Sequence, residues 1–216
     1  MTAIKPLQIL SSMTIVTSLV RRRRRHPDEL REEAIIAARE ILMADGPGSI
    51  TLQAVAAALG MAHGSITHHF GTAANLQAAV ADELIVQLLT EVRTGTLALK
   101  AGDICEADLV DLVFDTFETT GVGRLIGWLS ASQSPLLQPL FERFARLPHE
   151  IATDRRDGSA FTEAELPIII ESIVTSALSS SLIGSGLRQA LGLSPAFTRQ
   201  RVAENLAAQR AMRIPQ

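Results

Sequence analysis

Residues 50–76 set two short stretches of helical periodicity on either side of a glycine, and this arrangement limits the chain's fold more than any other feature. Thr51 is suited to cap a helix, because its hydroxyl accepts a bond from an otherwise unpaired backbone N–H. Val55, Ala56 and Leu59 follow on one face at helical spacing. Gly60 ends that run, since glycine enters a left-handed cap without a Cβ penalty. Beyond the turn, Met61, Ile66 and Phe70 anchor a second short helix, and Ala56 is small where the two helices must approach closely. The outer side of the second helix carries His63, Gly64, Ser65, Thr67 and His68, whose polar groups can exchange hydrogen bonds with base edges and phosphates. The layout is a helix-turn-helix. It reads as a DNA-contacting element, with Thr51, Gln53 and Thr72 also on the contact surface.

The flanks agree with that reading. Residues 28–45 predict a preceding helix, with Asp28, Glu29, Glu32 and Glu33 in its first turns, where the macrodipole favours acid. Its apolar stripe is Leu30, Ala34, Ala37, Ala38, Ile41 and Leu42, and Gly46-Pro47-Gly48 stops it. Arg21, Arg22, Arg23, Arg24 and Arg25 stand just upstream as a basic arm, able to enter a narrow minor groove or clamp phosphates. If all five met phosphates, the salt dependence of binding would steepen by about 4–5 units per subunit.

The totals are less specific. The chain has 216 residues, 47% of them hydrophobic and 20% charged, with a net charge of −3. A polypeptide this apolar and this sparsely charged predicts a sizeable core and a surface partly covered by another subunit. The net acidity is unusual for a nucleic-acid binder, so the local arginine run matters more than the sum. The single cysteine, Cys105, excludes an internal disulfide and fits a reducing compartment. Leu7–Val20 is apolar but too short and too hydroxyl-rich to span a bilayer at ~20 residues. Its arginines follow rather than precede it, the reverse of a secretory signal. The expected location is therefore the cytoplasm, with no stable membrane association. Residues 1–20 are read either as a flexible or over-long start or as an amphipathic segment on a surface, with Met13 as an alternative start.

As a set, Ala34, Ala37, Leu42, Thr51, Val55, Ala56, Gly60, Gly64, His69-Phe70-Gly71 and Leu76 resemble the N-terminal domain of the tetracycline-repressor (TetR) family of bacterial regulators. The resemblance covers residues 28–90. It implies an all-α protein: a three-helix reading head, then a larger helical body that binds ligand and dimerises. It also implies that the helix joining head to body transmits ligand binding to the spacing of two reading heads. The sequence departs from the family pattern at Ala62, Thr67 and Ala73, where Ser, an aromatic and Lys are common. Each change removes a capping or phosphate-facing group, and the arginine arm is expected to compensate.

Four of the five histidines (His26, His63, His68 and His69) lie in this N-terminal part. Metal binding is not expected, because the spacing of His63 and His68 does not place two ligands on one helical face and no cysteine joins them. No cofactor is expected either. With no Lys or Arg on residues 61–76, DNA affinity is expected to tighten as the pH falls through the range in which histidines gain protons.

The remaining chain reads as regulatory. Leu76, Val80, Leu84, Leu88 and Val92 predict a long connecting helix over 72–100, with Gly95 and Gly102 punctuating its end. Helices follow over 108–120 and 124–133, with Pro135 and Pro139 bracketing a broken stretch and a further short helix over 140–147. Phe114, Phe117, Trp128, Phe141 and Phe144 cluster in the sequence. They are read as core or as the wall of an apolar effector pocket, with Ser130, Ser132, Gln133 and His149 as polar contacts. A long helix over 162–190, capped by Thr162, carries Ile169, Ile173, Ala177, Ser180, Ser181 and Gly184 at helical spacing. This stripe is expected to form a twofold dimer interface together with a last helix over 196–212.

The expected organisation is a 1–26 arm, a 27–72 helix-turn-helix domain and a 73–216 ligand-binding and dimerisation domain. The function that follows is a non-enzymatic, dimeric regulator, a repressor, that binds a palindromic double-stranded DNA operator and is released by a small apolar effector. The alternatives are a dimeric relative whose operator binding has degenerated, or a membrane-associated interaction protein using the N-terminal segment.

Overall fold

The structure, a computed structural model, describes residues 27–153 and 164–211, and all regular structure among them is helical. Arg21–Arg25, His26 and Thr162 lie outside the described residues. The elements are α1 (Pro27–Asp45), α2 (Leu52–Ala58), α3 (His63–Phe70), α4 (Ala73–Ala101), α5 (Glu106–Thr119), α6 (Val122–Ala131), α7 (Leu137–Thr153), α8 (Leu166–Ser179), α9 (Ser185–Ala190) and α10 (Phe197–Ala211). A short 3₁₀ turn, Pro47–Ser49, links α1 to α2.

The head closes as its sequence pattern requires. Leu30, Ala34, Ala38 and Leu42 of α1 are buried with Ile50, Val55, Ile66 and Phe70 at the head's end of a core that continues into the body. Thr51 caps α2, its hydroxyl accepting from the Ala54 N–H at 3.1 Å. Gly60 takes φ +60°, the left-handed conformation the turn needs. Thr72 caps α4 in the same way, accepting from the Asn75 N–H at 3.2 Å.

α4 is the spine. Leu76, Val80, Leu84, Leu88 and Val92 are all buried, so one stripe runs from the head into the body. Truncating a side chain such as Leu84 or Leu88 to alanine would cost about 2–5 kcal/mol. Gly95 does not end this helix, as its composition suggested. It lies inside α4, and a Cβ there would come within 2.8 Å of the Leu109 and Leu112 side chains of α5. The glycine lets two helices cross closely. The actual stop is Gly102, at φ +79°.

Head and body are tied along two lines. Arg39 of α1 donates to Gln87 Oε1 at 3.2 Å, and Gln87 donates to Glu91 Oε1 at 3.0 Å. The Thr116 hydroxyl of α5 donates to the other Glu91 oxygen, which completes a polar chain across three helices. The second line is the first turn of α6, from which Arg124 reaches α1.

Two further expectations change. α7 is one continuous helix rather than a broken stretch and a short helix: Pro139 falls in its first turns, where a missing N–H is tolerated, and Pro148 is carried inside. The stripe Ile169, Ile173, Ala177, Ser180 and Gly184 faces the subunit's own core. Its small residues serve intramolecular packing. Ser181, half-buried, packs against Gly123 of α6, where a Cβ would collide with it. A π-helical turn at Ser180–Gly184 separates α8 from α9. There Arg188 donates to Ser180 Oγ at 2.9 Å and Ser180 donates to Glu118 at 3.3 Å. α10 packs on α5 through Arg199, which pairs with Asp115 at 2.6 Å and Glu118 at 2.7 Å and lies 5.4 Å from the centre of the Phe114 ring.

Candidate functional site

The reading surface is built on α2 and α3. Ile66 and Phe70 are buried and fix the inner face of α3, and the Arg31 guanidinium lies 5.4 Å from the Phe70 ring centre. That leaves His63, Gly64 and His68 exposed on α3, with Thr51, Gln53 and Thr72 exposed at its margins. Ser65, Thr67 and His69 are half-buried. Thr67 spends its hydroxyl hydrogen on the His63 main-chain oxygen, at 3.0 Å. It can therefore only accept from DNA while it holds that bond. His68 and His69 meet edge to face, with ring centres 5.8 Å apart.

Ala62 occupies the cap position of α3 in extended conformation and offers no side-chain bond. The first N–H groups of α3 thus lack the capping oxygen that Thr51 and Thr72 supply to their own helices. No group of three or more His, Cys, Asp or Glu side chains among the described residues is arranged to hold a metal ion.

The body carries a groove of about 630 Å³ between α6, α7 and α8. Its walls include Ile126, Phe141, Phe144, Pro148, Ile170 and Val174, with Ser130, Thr175 and Glu171 as its polar groups. Beneath it a small apolar void of about 20 Å³ lies between α4, α5, α7 and α8, and Ile170 and Val174 line both spaces.

Only part of the sequence-derived pocket is here. Phe141 and Phe144 line the groove. Phe114 and Phe117 do not; both are fully buried core on α5. Their period placed them on the inner face of α5, which packs against α4, α8 and α10. Trp128 packs against the core, Ser132 folds its hydroxyl back onto the Trp128 main-chain oxygen at 2.8 Å, and His149 is exposed on α7. None of these three lines the groove. Sequence reasoning missed Glu171, Thr175 and Ile170. The signal was a helix apolar nearly all round, which conceals which face opens to a groove.

An all-helical chain with a helix-turn-helix head on a long connecting helix belongs to the class of DNA-binding regulators. Residues 35–80 match the model of the bacterial regulatory proteins of the tetR family. The fold is similar to that of the multidrug binding protein EbrR complexed with imidazole, at 20% identity and TM-score 0.56, over 82% of this chain and 93% of that one. It is also similar to a protein assigned to the TetR family of transcriptional regulators from Mesorhizobium loti, at 16% identity and TM-score 0.63, over 87% and 98%. A TetR-family transcriptional regulator from Pectobacterium atrosepticum aligns at 16% identity and TM-score 0.50, over 87% and 93%. No curated protein sequence matches the chain. The N-terminal domain thus matches that of the tetR family of bacterial regulatory proteins, and the chain as a whole shares the fold of regulators assigned to that family.

Proposed function

We propose that the chain is a dimeric repressor that binds a palindromic operator and is released by a small apolar molecule held in the body. The observation that carries the reading is the outer face of α3. His63, Gly64 and His68 stand clear of the core on a helix otherwise pinned by Ile66 and Phe70. A short helix so presented suits a major groove, and two of them on a twofold axis suit half-sites about 34–36 Å apart. The boundary between the 27–72 head and the body beginning at 73 is retained, with the 1–26 segment as the arm.

Twofold pairing is supported by an uncovered apolar face. Ile168, Ile183 and Leu191 are 64%, 61% and 62% exposed, and Leu187 is exposed as well. Large apolar side chains left exposed along one helical run are what an interaction surface offers. The interface is therefore proposed on this face of α8–α9 and the following turn, not on the Ile169–Gly184 stripe. The run Leu166–Ala190 is also long and apolar enough, by length and composition, to cross a membrane. Its core-facing stripe and the Arg188–Ser180 bond favour a helix packed into the folded body over a membrane span. A protein bound to the bacterial chromosome works in the cytoplasm, which is the location proposed.

The effector site is proposed in the α6–α7–α8 groove. Apolar walls with a few polar groups are what small-molecule sites offer, and the EbrR structure with imidazole gives a fold-level parallel. An effector preferring one body conformation would shift the heads by as much as its differential affinity for the two states.

The test is a footprint of the purified protein on the DNA upstream of its own gene, with and without residues 1–25, alongside sedimentation of the free protein. A protected palindrome and a dimer are expected, and truncation should flatten the salt dependence by about 4–5 units per subunit. A monomer with no protected site would sink the proposal. Unchanged affinity and salt slope after truncation would remove the arm from it.

A further inference from the structure

We infer that the occupant of the α6–α7–α8 groove is a lipophilic organic cation, with Glu171 as its counter-ion; this rests on reading the groove as the effector site. Glu171 is the single charged residue among those lining it. An exposed glutamate is ordinary on a protein surface. This one sits on a largely apolar lining that also holds the rings of Phe141 and Phe144.

Several acids elsewhere on the body are matched by arginines. Arg143 turns to the far side of α7 and pairs with Asp82 of α4. Arg199 pairs with Asp111, Asp115 and Glu118, and Arg210 pairs with Glu106. No such partner meets the Glu171 carboxylate among the described residues. The neighbouring Thr175 hydroxyl donates to the Glu171 main-chain oxygen at 2.7 Å, so it leaves the carboxylate alone.

The charge preference follows from the ligand chemistry available. Phenyl faces carry the negative side of the ring quadrupole and attract cations, while a carboxylate at the same lining repels anions. A neutral apolar molecule gains the wall contacts and nothing from Glu171. A hard, strongly hydrated cation would lose its water in an apolar groove without replacement, so the fit is to a charge spread over or shielded by hydrocarbon.

The experiment is calorimetric titration of the full chain with three probes of similar shape: tetraphenylphosphonium, tetraphenylborate and the neutral triphenylphosphine oxide. It is run on the native protein, Glu171→Gln and Phe144→Ala. The phosphonium should bind more tightly than the borate. Glu171→Gln should weaken phosphonium on the order of fivefold and leave the neutral probe unchanged. Phe144→Ala should weaken every probe that binds. If Phe144→Ala weakens binding but the charge of the probe and Glu171→Gln make no difference, the cation assignment is overturned while the groove stands as a site. If no probe binds, or Phe144→Ala changes nothing, the groove reading falls and the cation with it. A native protein that binds no probe, and whose dimer dissociates on Phe144→Ala, would make the groove a subunit interface and also overturn the inference.

Discussion

Arg124, in the first turn of α6, donates to the main-chain oxygen of Met43 across 2.9 Å, in the last turn of α1. A guanidinium at a helix C-terminus meets carbonyls with no partner in the helix and the negative end of the macrodipole. The bond joins residues 81 apart in sequence and ties the body to the N-terminal head. Arg124→Ala should speed amide exchange in the last turn of α1 while costing less than about 1 kcal/mol in global stability, because the side chain is exposed. Exchange unchanged at Met43–Gly46 would show that the bond does not hold the two parts together.

Gly121 lies in the same contact, and its demands can be separated from those of an ordinary left-handed glycine. Its φ is +81°, and a Cβ would approach Met43 Sδ at 2.8 Å and Leu42 Cδ2 at 2.9 Å. Gly102 has nearly the same φ, +79°, with open space around it. Gly102→Ala should cost about 1 kcal/mol, the backbone penalty alone, and Gly121→Ala about 2–3 kcal/mol, since the end of α1 must also move. Urea unfolding of the two variants decides it; equal losses would mean that Leu42 and Met43 yield freely.

The missing cap on α3 can be supplied. Ala62 already has the extended backbone of a cap residue, φ −68° and ψ 138°. Ala62→Ser adds an oxygen able to accept from Ser65, whose N–H otherwise turns to the Ala62 carbonyl at 2.9 Å. A gain of about 0.5–1 kcal/mol in thermal or urea stability is expected. No gain would mean that the first turn of α3 is already satisfied by another route.

His63 and His68 are exposed, whereas Thr67 is half-buried with its hydroxyl hydrogen engaged, so the two histidines should carry more of the base reading than the threonine. His63→Ala and His68→Ala should each weaken operator binding by about 1–3 kcal/mol and relax the preference at one base position. Thr67→Val should weaken it by less. Binding selections on randomised operators would read both effects, and a larger loss from Thr67→Val would reverse the assignment.

The head was legible in the sequence because its signals are local. Thr51, Gly60, Thr72 and the period of Leu76–Val92 each act within a turn or two, and each does what its residue type dictates. The body was legible only as helices. Phe114 and Phe117 look like pocket aromatics in one dimension, yet the packing of α5 buries them. The stripe from Ile169 to Gly184 looks like an interface because small residues favour close approach, but the close approach is to the chain's own helices. Gly95 illustrates the same limit: a glycine that reads as a stop is a crossing point, and only Leu109 and Leu112 reveal it. Which face of an all-round apolar helix turns inward is settled by partners far away in sequence.

The last helix should be the part of the body most sensitive to acid. Arg210 of α10 donates to Glu106 Oε1 at 2.7 Å, at the start of α5. That hydrogen bond holds the Glu106 carboxyl below the ordinary carboxylate range, against the opposing pull of burial, with help from a backbone N–H and the arginine's charge. A depressed value in the folded state means that the unfolded chain binds more protons as the pH falls. The pair's contribution is therefore fully present above the unfolded value of about 4.3 and is lost as the pH drops through the lower folded value. Glu106→Gln should destabilise the protein at pH 7 by up to about 1 kcal/mol, and the gap should close as the pH falls below about 4. Asp108, also held low because its carboxylate accepts from the Cys105 N–H at 2.8 Å, is present in both proteins and cancels from the comparison. Urea unfolding at pH 7, 5, 4 and 3 follows the gap directly. A difference that persists undiminished at the most acidic point would mean that the glutamine disturbs packing rather than removing a charge, and that the Arg210 contact does not secure α10 to α5.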